Sequence, residues 1–182
     1  MSSNQTLQLR DLSKSPFPLT LKWDTPRYRW HDSYPTGVSP GIEFPSHRIE
    51  KLLVCARNHY PERIVLRYFR THWSYDELLK RVKQVAGNLK AMGLRPGDRA
   101  LVILPNSPEY VVTWFALNWL GVEIVPANPL LTAQDLALLL KTSRAKAVFG
   151  LDIKLKPVLE MLKLHPIPLL VVTSLSPHLP VA

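Results

Sequence analysis

The chain has 182 residues, of which 46% are hydrophobic and 20% charged, values that are typical of a globular protein and exclude an intrinsically disordered one. Its net charge of +9 is spread along the chain rather than concentrated in one basic stripe with aromatic platforms, so we expect no nucleic-acid partner. With a single cysteine, Cys55, the chain cannot form an internal disulfide or a metal site made of several cysteines. The sequence shows no signal-peptide pattern and no apolar run long enough to span a membrane, so we expect a cytoplasmic protein.

The first 45 residues are predicted to form an extended arm. They contain six of the 17 prolines and no helical period, as is typical of backbone that is laid over a surface or partly disordered. Large aromatic side chains are costly to leave in water, so the arm is expected to pack on a second subunit or on a part of the protein outside this chain. Its aromatic residues are Trp23, Tyr28, Trp30, Tyr34 and Phe44.

Two helices flank a strand-rich segment in residues 46–92. The first helix is predicted over residues 46–59, with Ser46 as its N-cap and a buried face formed by Ile49, Leu52, Leu53 and Ala56. β-branched and aromatic residues predict a strand over residues 64–69 and a short one over residues 71–74. Apolar residues three and four apart predict a helix over residues 75–92, with Glu77 paired to Arg81 on its outer face.

Residues 93–129 are predicted to form a turn, a strand, a helix and a strand, with a stop residue at each junction. Gly93 closes the preceding helix, and residues 95–98 fit a type II turn. An apolar strand over residues 100–104 is followed by a helix over residues 110–120 that Ser107 caps. Gly121 ends this helix in the left-handed conformation, and residues 122–125 form the next strand.

The remaining residues continue the same alternation. Thr132 and Asp135 are predicted to cap a helix, and residues 145–149 to form a strand that Gly150 ends. A helix over residues 152–164 tolerates Pro157 only in its first turn, and residues 169–172 form a last strand. Residues 173–182 are predicted to contain no further element.

Helices and strands therefore alternate four times at short spacing. This pattern predicts an α/β fold, with a mostly parallel sheet of about four to six strands, helices on both faces and the extended arm in front.

Ligands of such folds bind at the carboxyl ends of the strands, but the loops there contain few functional groups. Neither a Gly-x-Gly-x-x-Gly nor a Gly-x-x-x-x-Gly-Lys-Ser/Thr motif is present, and all seven glycines lie at or before Gly150. Asn106 and Ser107 either cap a helix or hold an anion, and capping is favoured. Six histidines without metal-ligand spacing are expected to be surface or turn residues: His31, His47, His59, His72, His165 and His178.

Several segments in matching order resemble the AMP-forming acyl-CoA synthetases. They are WSYDEL at 73–78, GDR at 97–99, LPNSPE at 104–109 and VPANPL at 125–130, which look like the first two core motifs of that superfamily. In the arm, Trp30, YPTGV at 34–38 and IEFP at 42–45 look like the start of long-chain fatty-acid CoA ligases.

This resemblance implies an enzyme that converts a fatty acid, ATP and CoA into acyl-CoA, AMP and pyrophosphate. Family members are about three times as long, and their glycine-rich ATP loop, magnesium site and mobile C-terminal domain have no counterpart in these residues. The chain is thus expected to be the N-terminal α/β subdomain, residues 46–175, with a truncated tail at 176–182. It is expected to bind no cofactor and to be inactive alone, whereas the full-length enzyme uses ATP, Mg²⁺ and CoA.

The same resemblance suggests one binding role and several partners. Some relatives contact the CoA phosphate with a basic residue after the strand equivalent to residues 145–149, where Lys154 and Lys156 lie; solvated lysines are the alternative. The expected partners are the remainder of the ligase, a second copy in a homodimer and, at most peripherally, a membrane. A non-catalytic dimerisation or interaction module, and an independent binder of small ligands, are the alternative functions.

Overall fold

The computed structural model describes residues 29–36 and 48–179. The chain divides into two compact units, Met1–Arg48 and Ile49–Ala182. In the first unit, a short 3-10 helix at Arg29–Ser33 interrupts what the sequence predicted as extended backbone. Trp30 is 58% exposed and Tyr34 44%. Trp23, Tyr28 and Phe44, and with them most of the predicted arm, lie outside the described residues.

The second unit is an α/β fold. In chain order, its helices and strands are α1 (Glu50–His59), β1 (Ile64–Tyr68), β2 (Thr71–Ser74), α2 (Tyr75–Ala91), β3 (Arg99–Ile103), α3 (Pro108–Leu120), β4 (Glu123–Pro126), α4 (Ala133–Ser143), β5 (Ala147–Leu151), α5 (Leu155–Leu164) and β6 (Leu169–Thr173).

Four of the strands form a parallel sheet in the order β4-β3-β5-β6. β1 and β2 form a separate antiparallel hairpin. The predicted mostly parallel sheet with alternating helices is therefore confirmed, and β3 and β5 are its two central strands, since each has a neighbour on both sides.

The side-chain alternation of β3 and β5 separates two hydrophobic cores. Ala100, Val102 and Phe149 belong to a core with α1, α2 and α3. Leu101 and Val148 belong to a second core with α4 and α5. Because successive strand residues point to opposite faces, helices cover both faces of these two strands, in which every residue but Arg99 is buried.

Short-range capping interactions begin and end several of the helices. Thr132 and Asp135 form the predicted reciprocal capping box at α4. Ser74 and Glu77 form another at α2, which was not predicted. The Ser107 hydroxyl accepts a hydrogen bond from the Tyr110 N–H of α3 at 3.2 Å. Two glycines end α2 and α3 with positive φ angles: Gly93 at 100° and Gly121 at 73°.

The first helix differs from its prediction. α1 begins at Glu50, with Ile49 as a cap residue that makes no side-chain cap hydrogen bond, and the predicted cap Ser46 lies outside the described residues. Ile49 and Leu52 are 39% and 40% exposed rather than buried. Only Leu53 and Ala56 are buried, because this ten-residue helix meets its neighbours along one narrow stripe.

The strand predicted at residues 145–149 is also displaced. β5 runs from Ala147 to Leu151 and includes Gly150, which pairs with Ile103 on one side and Val172 on the other. A Cβ atom on Gly150 would lie 3.5 Å from Val158 of α5, an ordinary contact distance. Gly150 is therefore not a strand terminator here, because the ladders on both sides hold it extended.

The predicted pair of Glu77 and Arg81 is wrong, because both residues have other partners. Glu77 closes the capping box, and the Arg81 guanidinium lies over the Trp73 ring, 4.4 Å from its centroid. The ion pairs of α2 involve Asp76, which contacts Lys80 at 2.7 Å and Arg57 at 2.8 Å. Hydrogen bonds from Lys80 and then Arg57 hold the pKa of the Asp76 carboxyl below its ordinary value.

Candidate functional site

The strand order places a switch point between β3 and β5. After β3 the chain crosses to β4 on one side, and after β5 it crosses to β6 on the other. In an open α/β sheet, the loops that leave the carboxyl ends of two such strands diverge, and ligands usually bind in the crevice between them. By this rule, the crevice lies between residues 104–107, which follow β3, and residues 152–154, which follow β5.

On the β3 side, the structure favours capping over anion binding. Ser107 is 5% exposed, and its hydroxyl oxygen accepts the Tyr110 N–H. Asn106 next to it is exposed. Ser107 thus satisfies a backbone donor of α3 itself, as a capping residue does.

On the β5 side are the two lysines that the sequence indicates. Lys154 ends the 3-10 turn Asp152–Lys154 after β5, and Lys156 lies in the first turn of α5. Both side chains are exposed, and in the described part of the chain neither forms an ion pair. Asp152 is the nearby acid, and its Oδ1 accepts the Ile153 N–H at 2.7 Å.

Across residues 29–36 and 48–179, no group of three or more His, Cys, Asp or Glu side chains could hold a metal ion. Asp152 is the carboxylate in the segments that follow β3 and β5, residues 104–107 and 152–154. Helices of the described segments also lack the combination of length and apolar character needed to cross a membrane.

The tail contains the main polar cluster that the sequence did not predict. Instead of being featureless, residues Ser176–His178 form a 3-10 turn, and His178 is 9% exposed. Its Nε2 pairs with the Glu109 carboxylate, and its Nδ1 is hydrogen-bonded to the Thr71 hydroxyl at 2.7 Å. His178 is thus a turn residue, as predicted, but its side chain is buried and joins the tail to β2 and α3.

Thr71, His178 and Glu109 form a hydroxyl, imidazole and carboxylate in a row, the order found in nucleophilic triads. When Nε2 of His178 donates a hydrogen bond to the Glu109 carboxylate, Nδ1 of the neutral imidazole accepts a hydrogen bond from the Thr71 hydroxyl. A nucleophile also needs a cavity for its substrate, and neither Thr71 nor His178 lines the neighbouring one. The row is therefore a structural connection between three segments.

That neighbouring cavity has a volume of about 320 Å³. It lies between α2, the first half of α3 and β6, and its lining includes Trp73, Arg81, Gln84, Glu109, Thr113 and Phe149. Glu109 Oε2 is buried and has no hydrogen-bond partner within the described segments. Only Oε1 of this carboxylate is bonded, to His178.

The sequence profile of the family described as AMP-binding enzyme matches residues 55–178 of this chain. That range extends from α1 to the tail turn with His178, and includes both edges of the crevice.

Two curated relatives show what kinds of enzyme are similar. A long-chain-fatty-acid–CoA ligase of Bacillus subtilis (strain 168) is 24% identical over 151 residues, which are 83% of this chain and 27% of the relative. A 4-coumarate–CoA ligase-like 6 of Oryza sativa subsp. japonica is 43% identical over 77 residues, 42% of this chain and 13% of the relative. The chain thus spans about a quarter or less of the length of these relatives.

Solved structures with the same fold include a benzoate CoA ligase from Burkholderia xenovorans LB400, with a TM-score of 0.65 and 23% identity over 70% of this chain and 26% of that one. The N-terminal domain of FACL13 from Mycobacterium tuberculosis has a TM-score of 0.63 and 21% identity, over 70% of this chain and 34% of that one.

The family match spans more than half of the chain, and the fold agrees with it. The chain therefore belongs to the AMP-binding enzyme family.

Proposed function

We propose that the chain is the N-terminal part of an AMP-forming ligase that joins a long-chain fatty acid to CoA at the expense of ATP. The observation that supports this most is the alignment of 83% of the chain with the Bacillus subtilis long-chain ligase, within a family match over residues 55–178. Other similar enzymes are named for aromatic acids, so the choice of a long-chain acid depends on that relative and on the arm motifs.

The described residues support a structural and CoA-binding role within that enzyme. The crevice at the carboxyl ends of β3 and β5 has neither a glycine-rich loop nor a set of magnesium ligands. Phosphoryl chemistry depends on such groups to stabilise the developing charge. We therefore propose that the ATP site lies in the remainder of the ligase and that these 182 residues alone do not form acyl-CoA.

The contribution of this chain to CoA binding is assigned to Lys154 and Lys156. Both ammonium groups are exposed beside the switch point, and within residues 48–179 no carboxylate holds either of them in an ion pair. A phosphate monoester is a dianion that two lysines can contact by charge-assisted hydrogen bonds. The 3′-phosphate of CoA is such a group.

Calorimetric titration of the 182-residue chain with CoA and with dephospho-CoA, which lacks the 3′-phosphate, tests this assignment. We expect CoA to bind about tenfold more tightly than dephospho-CoA, the effect of one or two charge-assisted hydrogen bonds. The double variant Lys154→Gln/Lys156→Gln should bind both ligands equally. Lys163→Gln, an exposed lysine at the other end of α5, should preserve the difference. Equal affinity of the unmodified chain for both ligands would refute the assignment.

A further inference from the structure

The β1–β2 hairpin ends in an unusual loop. β1 and β2 pair with each other and, among the described strands, with no other. Tyr68 and Thr71 are the last paired residues, so Phe69 and Arg70 form the loop between the strands. The inner side of the hairpin is anchored in the fold, because Trp73 is buried and Thr71 bonds to His178. The loop is therefore held in a fixed place.

Phe69 occupies a position that suits neither its backbone nor its side chain. Its φ angle is +48°, in the left-handed region where glycine, asparagine and aspartate are favoured and a bulky residue is an outlier. Its side chain is 64% exposed, more than any other aromatic residue that the structure describes. The ring contacts that of Tyr68 edge-on, with centroids 4.9 Å apart. Phe69 thus presents an apolar ring to solvent in a strained conformation.

Arginines lie close to Phe69 along the hairpin, at positions 67 and 70. Leu66 pairs with Trp73 on the inward face, and Arg67 pairs with His72 on the outward face. Val65, at the irregular pairing between Ile64 and Leu66, is also exposed. We name the outward residues and the loop the hairpin-tip patch; it consists of Val65, Arg67, Phe69, Arg70 and His72, all exposed.

The arginines of this patch are not neutralised by the fold. In the described segments, neither Arg67 nor Arg70 forms an ion pair. Glu62 is the acidic residue of the turn before β1, at the opposite end of the hairpin from Phe69. The patch thus combines an apolar tip with uncompensated positive charge on a chain whose net charge is +9.

We propose that the hairpin-tip patch binds the surface of an anionic lipid bilayer. Phe69 enters the region of the headgroups, where an aromatic ring is favourably placed, and Arg67 and Arg70 contact lipid phosphates. A bilayer fits better than single-stranded nucleic acid. Successive bases stack on several aromatic platforms along a basic groove, whereas here one ring projects from the end of a hairpin.

Vesicle flotation of the full 182-residue chain tests this proposal. We expect binding to vesicles made of equal amounts of phosphatidylcholine and phosphatidylglycerol, and little binding to phosphatidylcholine alone. Removing both charges in Arg67→Gln/Arg70→Gln should weaken binding about 25-fold, since each basic residue near the surface contributes about fivefold. Phe69→Asn should weaken it severalfold and should not impair folding, because asparagine is favoured at positive φ.

Two matched variants control for general effects. Met92→Asn removes a side chain of similar exposure, 60%, and Lys141→Gln/Lys163→Gln removes two exposed charges elsewhere; both should bind like the unmodified chain. The proposal is overturned if the unmodified chain binds neutral vesicles equally well, or if the hairpin variants bind like the controls. Two other results would overturn it. One is that the chain binds a uridine oligonucleotide and does not bind vesicles. The other is that the unmodified chain is a dimer that does not bind lipid, and that the effect of Phe69→Asn is to dissociate this dimer.

Discussion

Glu109 has one carboxylate oxygen bonded to His178 and a second that is buried without a partner. A buried acceptor without a hydrogen bond costs free energy, so the remaining bond to His178 matters more than an average surface contact. The imidazole also lies edge-on to the Trp73 ring, with centroids 5.6 Å apart. At the scale of single residues, His178 is therefore the side chain on which the attachment of the tail depends.

We predict that His178→Ala lowers the free energy of unfolding by about 2–3 kcal/mol, because Glu109 and Thr71 both lose their partner inside the protein. Urea denaturation followed by tryptophan fluorescence measures this change. His165→Ala, a half-buried histidine just after α5, is the control and should change stability by less than about 0.5 kcal/mol. Equal effects of the two substitutions would show that the cluster does not stabilise the fold.

No sequence pattern could predict this cluster. Thr71 and Glu109 are 107 and 69 residues away from His178 along the chain, and their meeting depends on how the hairpin, α3 and the tail pack. The position of Lys154 and Lys156 after β5, by contrast, could be predicted, because the local sequence indicates the strand before them and the helix that follows. Their interaction with CoA stays a prediction.

Helix ends illustrate what local chemistry determines at the scale of elements. Ser107 and Thr132 cap helices as predicted, because an N-cap side chain bonds to a backbone N–H within the next few residues. Ser74 is a further cap of the same kind that was not predicted. Strand limits were less accurate: β5 includes the glycine expected to end it, because pairing with β3 and β6 determines its length. α1 starts later than predicted, because the apolar spacing that predicts this helix begins before the first helical residue, Glu50.

Two glycines of α2 should respond to alanine substitution in opposite directions. Gly87 lies within the helix and Gly93 just after it at φ +100°, and a Cβ atom would meet no other atom within 4 Å at either position. Gly87→Ala should therefore stabilise the protein by about 0.5–1 kcal/mol. Gly93→Ala should destabilise it by about 1 kcal/mol, the cost of a left-handed alanine.

Thermal or urea unfolding of both variants measures this difference, and each serves as the other's control because side-chain crowding is absent in both. If Gly93→Ala were as stable as Gly87→Ala, the left-handed end of α2 would not constrain the fold.

At the scale of the whole molecule, the alternation of elements was sufficient to predict a parallel sheet covered by helices on both faces. It could not predict the strand order β4-β3-β5-β6, which depends on the direction that each crossover takes. That order places a switch point between β3 and β5, and Lys154 and Lys156, to which we assign the binding of CoA, follow β5. The 151 aligned residues are 27% of the Bacillus subtilis relative, and we propose that the chain forms one wall of a larger site.

A chimera tests most directly whether the chain is that wall. The 182 residues would be joined to the part of the Bacillus subtilis ligase that follows its aligned segment, and palmitoyl-CoA would be measured with ATP, Mg²⁺, CoA and palmitate. We expect acyl-CoA from the chimera and none from the 182-residue chain alone. Turnover by the chain alone would contradict the proposed role of the chain, as would a chimera that melts cooperatively and binds ATP but forms no acyl-CoA.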